Sequence, residues 1–221
     1  RQTSDTETIL QLVAQSERKQ IVDKLIDALF QIHGAYSLVI LTNKKLIGVR
    51  DPYGIRPLVL GDLNGAPVLA SETCALDIIG AKFVREIENG EIIIISEKGM
   101  ESIRPFPKVA ERPCIFERIY FSRPDSMLGG NTVYTYRKNL GIELAKEHYV
   151  DADTVVPVPD SGVPAALGYA QRSNTPFELG IIRNHYVGRT FIEPSQSIRP
   201  FGGKLKHNAH VSYIKNKNII L

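Results

Sequence analysis

Three stretches of this chain carry residue types whose spacing could do chemistry. The first, Thr154-Val155-Val156-Pro157-Val158-Pro159-Asp160-Ser161-Gly162-Val163-Pro164, reads as a strand, a short loop and a helix with proline in its first turn. In parallel sheets such loops gather beyond the carboxyl ends of the strands, where ligands bind. A helix N-terminus there favours an anion by about 0.3–1 kcal/mol. Asp160 would repel a bare phosphate, so a phosphate complexed to Mg²⁺ suits the loop better, with the Asp160 carboxylate and the Ser161 hydroxyl as hard oxygen ligands. The competing reading, that one of these side chains merely caps the helix, is served equally well by the sequence.

The second stretch is Arg183-Asn184-His185-Tyr186-Val187-Gly188-Arg189-Thr190-Phe191-Ile192 and its continuation past Arg199. From Arg183 to Lys217 there are seven Lys/Arg against the lone acid Glu193. A basic lid closing on a phosphate-rich substrate has this composition, and so does a solvated basic loop. The third is Arg50-Asp51-Pro52-Tyr53-Gly54-Ile55-Arg56-Pro57-Leu58. Its two guanidinium forks could hold a carboxylate. Composition favours the plainer reading, a rigid turn whose arginines are satisfied by backbone carbonyls. Cys74 reads as buried packing in a short helix, Ala75–Ile79. Cys114 has no second cysteine at metal-site spacing. His185, His207 and His210 share the basic segment without a placed nucleophile, so no catalysis is assigned to them.

The elements that must position these residues change in kind along the chain. Thr3 to Glu7 looks like a capped helix start, and Ile21, Val22, Leu25, Ile26 and Leu29 give a second helix ending near Gly34. Short β-rich runs follow at Ser37–Leu41, Leu46–Val49, Pro57–Leu60, Val68–Ala70 and Glu91–Ser96, an antiparallel meander packed beside helices. Pro105, Pro107 and Pro113 mark a linker. Beyond it the spacing predicts a strand at Ile115–Phe121 and a helix at Thr132–His148 with Leu140 and Leu144 facing inward. A strand at Asp153–Val158, a helix at Val163–Arg172 and a strand at Phe177–Ile182 complete an alternation that argues for a parallel α/β sheet. The fold class is therefore α+β followed by α/β.

Composition bounds the rest. Of 221 residues, 43% are hydrophobic and 23% charged, which excludes disorder as the default. The formal charge of +3 demands no nucleic-acid partner. No apolar run approaches the roughly 18 residues that span a bilayer, no export leader is evident, and two cysteines are too few for a disulfide scaffold. A soluble cytoplasmic protein without membrane or nucleic-acid partners is expected. Opening on Arg1 and closing on Asn218-Ile219-Ile220-Leu221, an aliphatic run like a core strand, the chain also reads as a fragment.

Together these segments resemble one family, the glutamine phosphoribosylpyrophosphate amidotransferases. Ser4-Asp5-Thr6-Glu7 and Arg50–Leu58 resemble motifs of class II glutaminases in general, including glucosamine-6-phosphate synthase. The specific likeness lies in Cys114-Ile115-Phe116-Glu117, Tyr120-Phe121-Ser122-Arg123-Pro124-Asp125-Ser126, Pro157–Gly162 and Asn184–Ile192. The resemblance implies part of an N-terminal-nucleophile glutaminase domain, an αββα fold, over 1–112, then part of a type I phosphoribosyltransferase domain over 113–221. It implies glutamine and phosphoribosylpyrophosphate as substrates, and a homo-oligomeric parent enzyme making phosphoribosylamine for purine synthesis. By position, Asp5 would bind the α-amino group of glutamine, and Ser161, with Asp160, would ligate Mg²⁺. Arg183, Tyr186 and Arg189 would belong to a loop ordering over the phosphoribosyl substrate, with Tyr186 and Ile192 lining an ammonia passage. Cys114 matches a cysteine that ligates a [4Fe–4S] cluster in some members. His185 stands where arginine is usual. The family's nucleophilic N-terminal cysteine and its acidic phosphoribosyl-binding loop fall outside the chain, so the fragment alone is expected to be inactive. The alternatives are a catalytically dead binding module and a glucosamine-synthase-type glutaminase.

Overall fold

The four consecutive isoleucines Ile92 to Ile95 show how the first part of the chain folds, because successive strand side chains point to opposite faces. Ile92 and Ile94 join Val22, Leu25, Leu29, Ile47 and Val49 in one buried cluster. Ile93 joins Leu58, Leu60 and Ile87 in another. A strand buried on both faces needs a cover on each side, and the architecture supplies one. A computed structural model describes residues 5–188 and 205–221, together with Gly203. It divides into two compact units, Arg1–Glu117 and Arg118–Leu221.

In the first unit the elements run α1 (Asp5–Gln15), α2 (Ile21–Leu29), β1 (Ser37–Leu41), β2 (Lys45–Arg50), β3 (Val59–Leu63), β4 (Ala66–Ala70), α3 (Thr73–Ile79), β5 (Lys82–Glu86), β6 (Ile92–Ser96) and β7 (Gly99–Ile103). One antiparallel sheet has the order β1-β2-β6-β7, the other β4-β3-β5. Helix α2 buries its apolar stripe on the first sheet. The two sheets meet through Leu58, Leu60 and Ile93, with Leu69 and Ile95 beside them. Val59, on the opposite face of its strand, packs on Leu76 of α3. The layers therefore run helix, sheet, sheet, helix. Close approach of the sheets requires Gly48, where a Cβ would lie 2.8 Å from Leu69 Cδ1 and 2.9 Å from Ile93 Cγ2. Strands β5 and β7 escape the sequence reading because each is a largely exposed edge strand with no apolar alternation.

The first unit ends beyond the proline-rich stretch at which the sequence suggests a boundary. The backbone N–H groups of Arg112 and Cys114 donate to the carbonyls of Tyr53 (2.8 Å) and Ile55 (3.0 Å), and Arg56 ion-pairs with Glu117, tying this segment down.

The second unit contains a π-helical turn ending at Phe121, the short pair β8 (Met127–Leu128) and β9 (Asn131–Thr132), and α4 (Val133–Glu147). There follow β10 (Thr154–Val155), α5 (Val163–Ser173), β11 (Ile181–Arg183), β12 (His207–Ala209), α6 (Val211–Ile214) and β13 (Ile219–Ile220). Strands β10 and β13 pair in parallel, with a parallel bridge from Val155 to Phe177, whereas β11 and β12 are antiparallel.

Four expectations need correction. Ile115–Phe121 is helical, not a strand: Ile115, Phe116, Ile119, Tyr120 and Phe121 are exposed, so no sheet buries the run. In α4, Leu140 and Leu144 are 41% and 50% exposed, and the buried positions are Val133, Arg137, Gly141 and Ala145. Here α4 and α5 touch backbone to backbone. A Cβ on Gly141 would lie 1.8 Å from the Ala165 carbonyl, and one on Gly168 2.0 Å from that of Lys138. The strand expected at Asp153–Val158 shrinks to β10, since Pro157 and Pro159 offer no N–H to a ladder. The strand expected at Phe177–Ile182 is a lone bridge at Phe177 followed by β11. Within the long basic segment, β12 and α6 are regular elements.

Candidate functional site

Buried β10 delivers the Pro159-Asp160-Ser161 loop to one end of the second unit. Val156 N–H donates to the Ile220 carbonyl (2.8 Å) and Glu178 N–H to that of Val155 (3.0 Å), fixing the strand on both sides. The chain then turns into α5 through Gly162, whose N–H donates to the Val158 carbonyl at 3.1 Å. A Cβ at this position would sit 2.8 Å from that same oxygen. The Pro159–Asp160 peptide is cis. Gly162 is itself the N-cap, and no side chain caps α5, so Asp160 and Ser161 are not spent on capping. Both stand at the carboxyl end of β10 and the N-terminus of α5.

They line a cavity of about 370 Å³ whose walls also carry Arg123, Arg137, Arg183 and Lys206. The lining holds four cations and one carboxylate, that of Asp160. Arg137, 4% exposed, reaches from α4 to donate from Nε to the Arg118 carbonyl and from Nη2 to that of Ser122, both at 2.8 Å. It thereby holds the segment bearing Arg123. Arg123 forks onto Asp125 at 3.0 and 2.7 Å, and its hydrogen bonds hold the Asp125 carboxyl below the usual carboxylate range. Arg183 and Lys206 come from neighbouring strand ends: β11 pairs with β12, and Asn184 N–H donates to the Lys206 carbonyl at 2.7 Å. Arg183 Nη1 contacts Asp160 Oδ2.

Thus Asp160, Ser161 and Arg183 come together, joined by Arg123, Arg137 and Lys206, which sequence reasoning missed. These cations lie far apart in the chain, and only Lys206 belongs to the conspicuous basic run. Tyr186 is fully exposed outside the cavity lining, its N–H donating to Asn184 Oδ1 at 3.0 Å. Arg189, Phe191 and Ile192 lie outside the described residues, as does Ser4. Asp5 opens α1 in the first unit and is exposed.

The Arg50–Leu58 stretch is architectural. Arg50 donates to the carbonyls of Arg56 (3.0 Å), Ile87 (2.7 Å) and Gly54 (3.2 Å). Burial lowers its pKa from the ordinary value, against the pull of Glu86, Asp51 and Glu111. Asp51, fully buried, accepts from the N–H groups of Tyr53 (3.0 Å), Ile55 (3.2 Å) and Tyr36 (3.4 Å). Gly54, at φ +63°, leaves no room for a Cβ beside Asn89 Oδ1.

Metal sites can be tested on these side chains. Cys74 and Cys114 are not joined in a disulfide, and Cys74 is buried in α3 with Sγ 3.7 Å from Glu72 Oε2. Among the described residues no three His, Cys, Asp or Glu side chains are grouped to hold a metal ion. A [4Fe–4S] cluster takes four thiolates, of which Cys114 would supply one, with no second thiol grouped with it among the described residues. Asp160 and Ser161 are a sparse pair of hard oxygens, suited to Mg²⁺ that arrives with its own phosphate and water ligands.

Comparison with known proteins defines first a class. A family model described as a glutamine amidotransferase domain matches residues 1–77, within the layered first unit. Over 99% of its length the chain is 60% identical to an amidophosphoribosyltransferase of Rhizobium etli and 44% identical to that of Bacillus subtilis, covering 45% and 46% of them. A chloroplastic amidophosphoribosyltransferase of Glycine max is 50% identical, with 39% of it covered. The solved glutamine phosphoribosylpyrophosphate amidotransferase of B. subtilis, complexed with ADP and GMP, matches 98% of this chain and 48% of its own at a TM-score of 0.90 and 45% identity. Along nearly all of its length the chain is similar to amidophosphoribosyltransferases, and it spans about half the length of the relatives it matches. Among the described residues no helix is long and apolar enough to cross a membrane.

Proposed function

We propose that this chain carries the latter part of an N-terminal-nucleophile glutaminase fold and the first part of a type I phosphoribosyltransferase domain. The parent activity is glutamine-dependent synthesis of 5-phosphoribosylamine. Glutamine and water give glutamate and ammonia; ammonia then displaces pyrophosphate from C1 of phosphoribosylpyrophosphate. Purine synthesis, a cytoplasmic location and homo-oligomeric assembly belong to the same reading. The observation that carries it is the cation-rich cavity at the α5 N-terminus, which suits a pyrophosphate group.

In this reading Arg183 and Lys206 bind the pyrophosphate as it becomes the leaving group, and Arg137 keeps the Arg123 segment in place. Ser161, with Asp160, would hold Mg²⁺, whose charge would offset that of the departing pyrophosphate. Arg189 and Tyr186 would act from the same segment, Tyr186 toward the ammonia passage. Asp5 would hold the α-amino group of glutamine. In an N-terminal-nucleophile glutaminase the nucleophile is an N-terminal cysteine whose own amino group is the base. Neither Cys74, buried in α3, nor Cys114 is assigned that role; ammonia release from glutamine abolished by Cys74→Ala would overturn this assignment. The cavity is tested by equilibrium dialysis of labelled pyrophosphate with excess Mg²⁺. Binding that weakens about 10-fold in Lys206→Ala supports it, on the scale of one charge-assisted contact. Unchanged binding in that variant refutes it.

A further inference from the structure

The first unit has a cavity of its own, of about 340 Å³, whose lining shares no residue with the phosphate site. Phe30, which closes α2, Tyr53, which follows β2, and Phe106 and Val109, which follow β7, form its walls. The rings of Phe30 and Phe106 stand 5.2 Å apart at 54°, presenting apolar faces to a flat molecule. Among the lining residues there is no Lys, Arg, Asp or Glu, and the one basic side chain, His33, is exposed. A charged ligand would lose water there without gaining a counter-charge.

One polar group in this lining is left over. Tyr36 is only 8% exposed, and its backbone is fixed by Asp51: its N–H donates to Oδ2 at 3.4 Å, and its carbonyl accepts from the Asp51 N–H at 3.0 Å. Among the described residues its hydroxyl has no hydrogen-bond partner, although a buried phenol ordinarily finds one. Burial, and then the Asp51 charge, raise its pKa above the ordinary value, so the phenol keeps its proton and remains a donor. We infer that this cavity binds a small, flat, uncharged heteroaromatic molecule, whose ring acceptor takes the hydrogen bond of the Tyr36 hydroxyl. Its volume suits a compound of two fused rings, at the small end of ligand pockets. The adjoining cavity of about 770 Å³ shares Phe106 and Val109 but is lined by Arg50, Glu86, Glu88 and Arg104, so charge separates what the two admit.

Equilibrium dialysis against the chain at neutral pH tests the site with quinoline, which is uncharged there, and with naphthalene, its match in shape without the ring nitrogen. Both probes should bind saturably. Tyr36→Phe keeps the ring and removes only the hydroxyl; it should weaken quinoline about 5-fold, the scale of one neutral hydrogen bond, and leave naphthalene unchanged. Val109→Trp, at a 38% exposed position of the lining, should weaken both probes by filling the cavity. Thermal melts matching wild type establish that each variant is folded. Equal loss of the two probes in Tyr36→Phe, or undiminished quinoline binding, overturns recognition by the hydroxyl. Uptake that does not saturate, or that Val109→Trp leaves unchanged, overturns the site itself.

Discussion

Replacing Glu91 by glutamine should cost the first unit about 3 kcal/mol at neutral pH and almost nothing near pH 2. Glu91 is wholly buried, at the edge of β6. Burial alone would raise its pKa. Its carboxylate, however, receives Arg85 at 2.6 and 2.8 Å, the Ser102 hydroxyl at 2.7 Å and the Glu88 N–H at 2.7 Å. These bonds and the Arg85 charge outweigh burial and hold the pKa at about 2, down from the ordinary 4.5. At about 1.4 kcal/mol per pH unit the difference is worth about 3 kcal/mol. Because the folded pKa is the lower one, the unfolded chain binds the proton first. The stabilisation is complete above about pH 5 and is lost as pH falls toward 2. Glutamine carries no such charge at any pH. Urea unfolding followed by far-UV circular dichroism at pH 7, 4 and 2.5 measures the wild-type minus variant gap, taking the transition that the substitution shifts. Other carboxylates cancel in that difference. A gap that stays constant from pH 7 to 2.5 would refute the reasoning, because it would come from packing and not from the ionised carboxylate.

Three further outcomes follow from the same geometry. Gly168→Ala should destabilise the second unit by about 2–3 kcal/mol, since its Cβ would meet the Lys138 carbonyl at 2.0 Å; thermal melting reads this, and a neutral result would mean α4 and α5 separate freely. Asp51→Asn should cost about 1–3 kcal/mol by setting an amide donor against three backbone N–H groups, measured by urea unfolding. Arg137→Met should lower stability by about 2 kcal/mol, because the Arg118 and Ser122 carbonyls lose their donor, and should weaken pyrophosphate binding through displacement of Arg123.

Local pattern was enough for α2, α5, β1, β2 and β6, whose apolar spacing matches the period of the element each forms. It also located the Asp160-Ser161 loop between a strand and a helix, because Pro164 and Gly162 act within a few residues of themselves. Packing against distant segments was not legible. Leu140 and Leu144 looked like the inner face of α4 until two glycines, Gly141 and Gly168, let the backbones touch and turned another stripe inward. Arg50 could have held a ligand carboxylate; three carbonyls from separate turns decided otherwise. Likewise Arg123, Arg137 and Lys206 became one cavity wall only when the second unit folded. Residue type and short-range spacing set what a side chain is able to do. Its burial and its charged partners come from segments tens of residues away, and these determine which of those capacities it exercises.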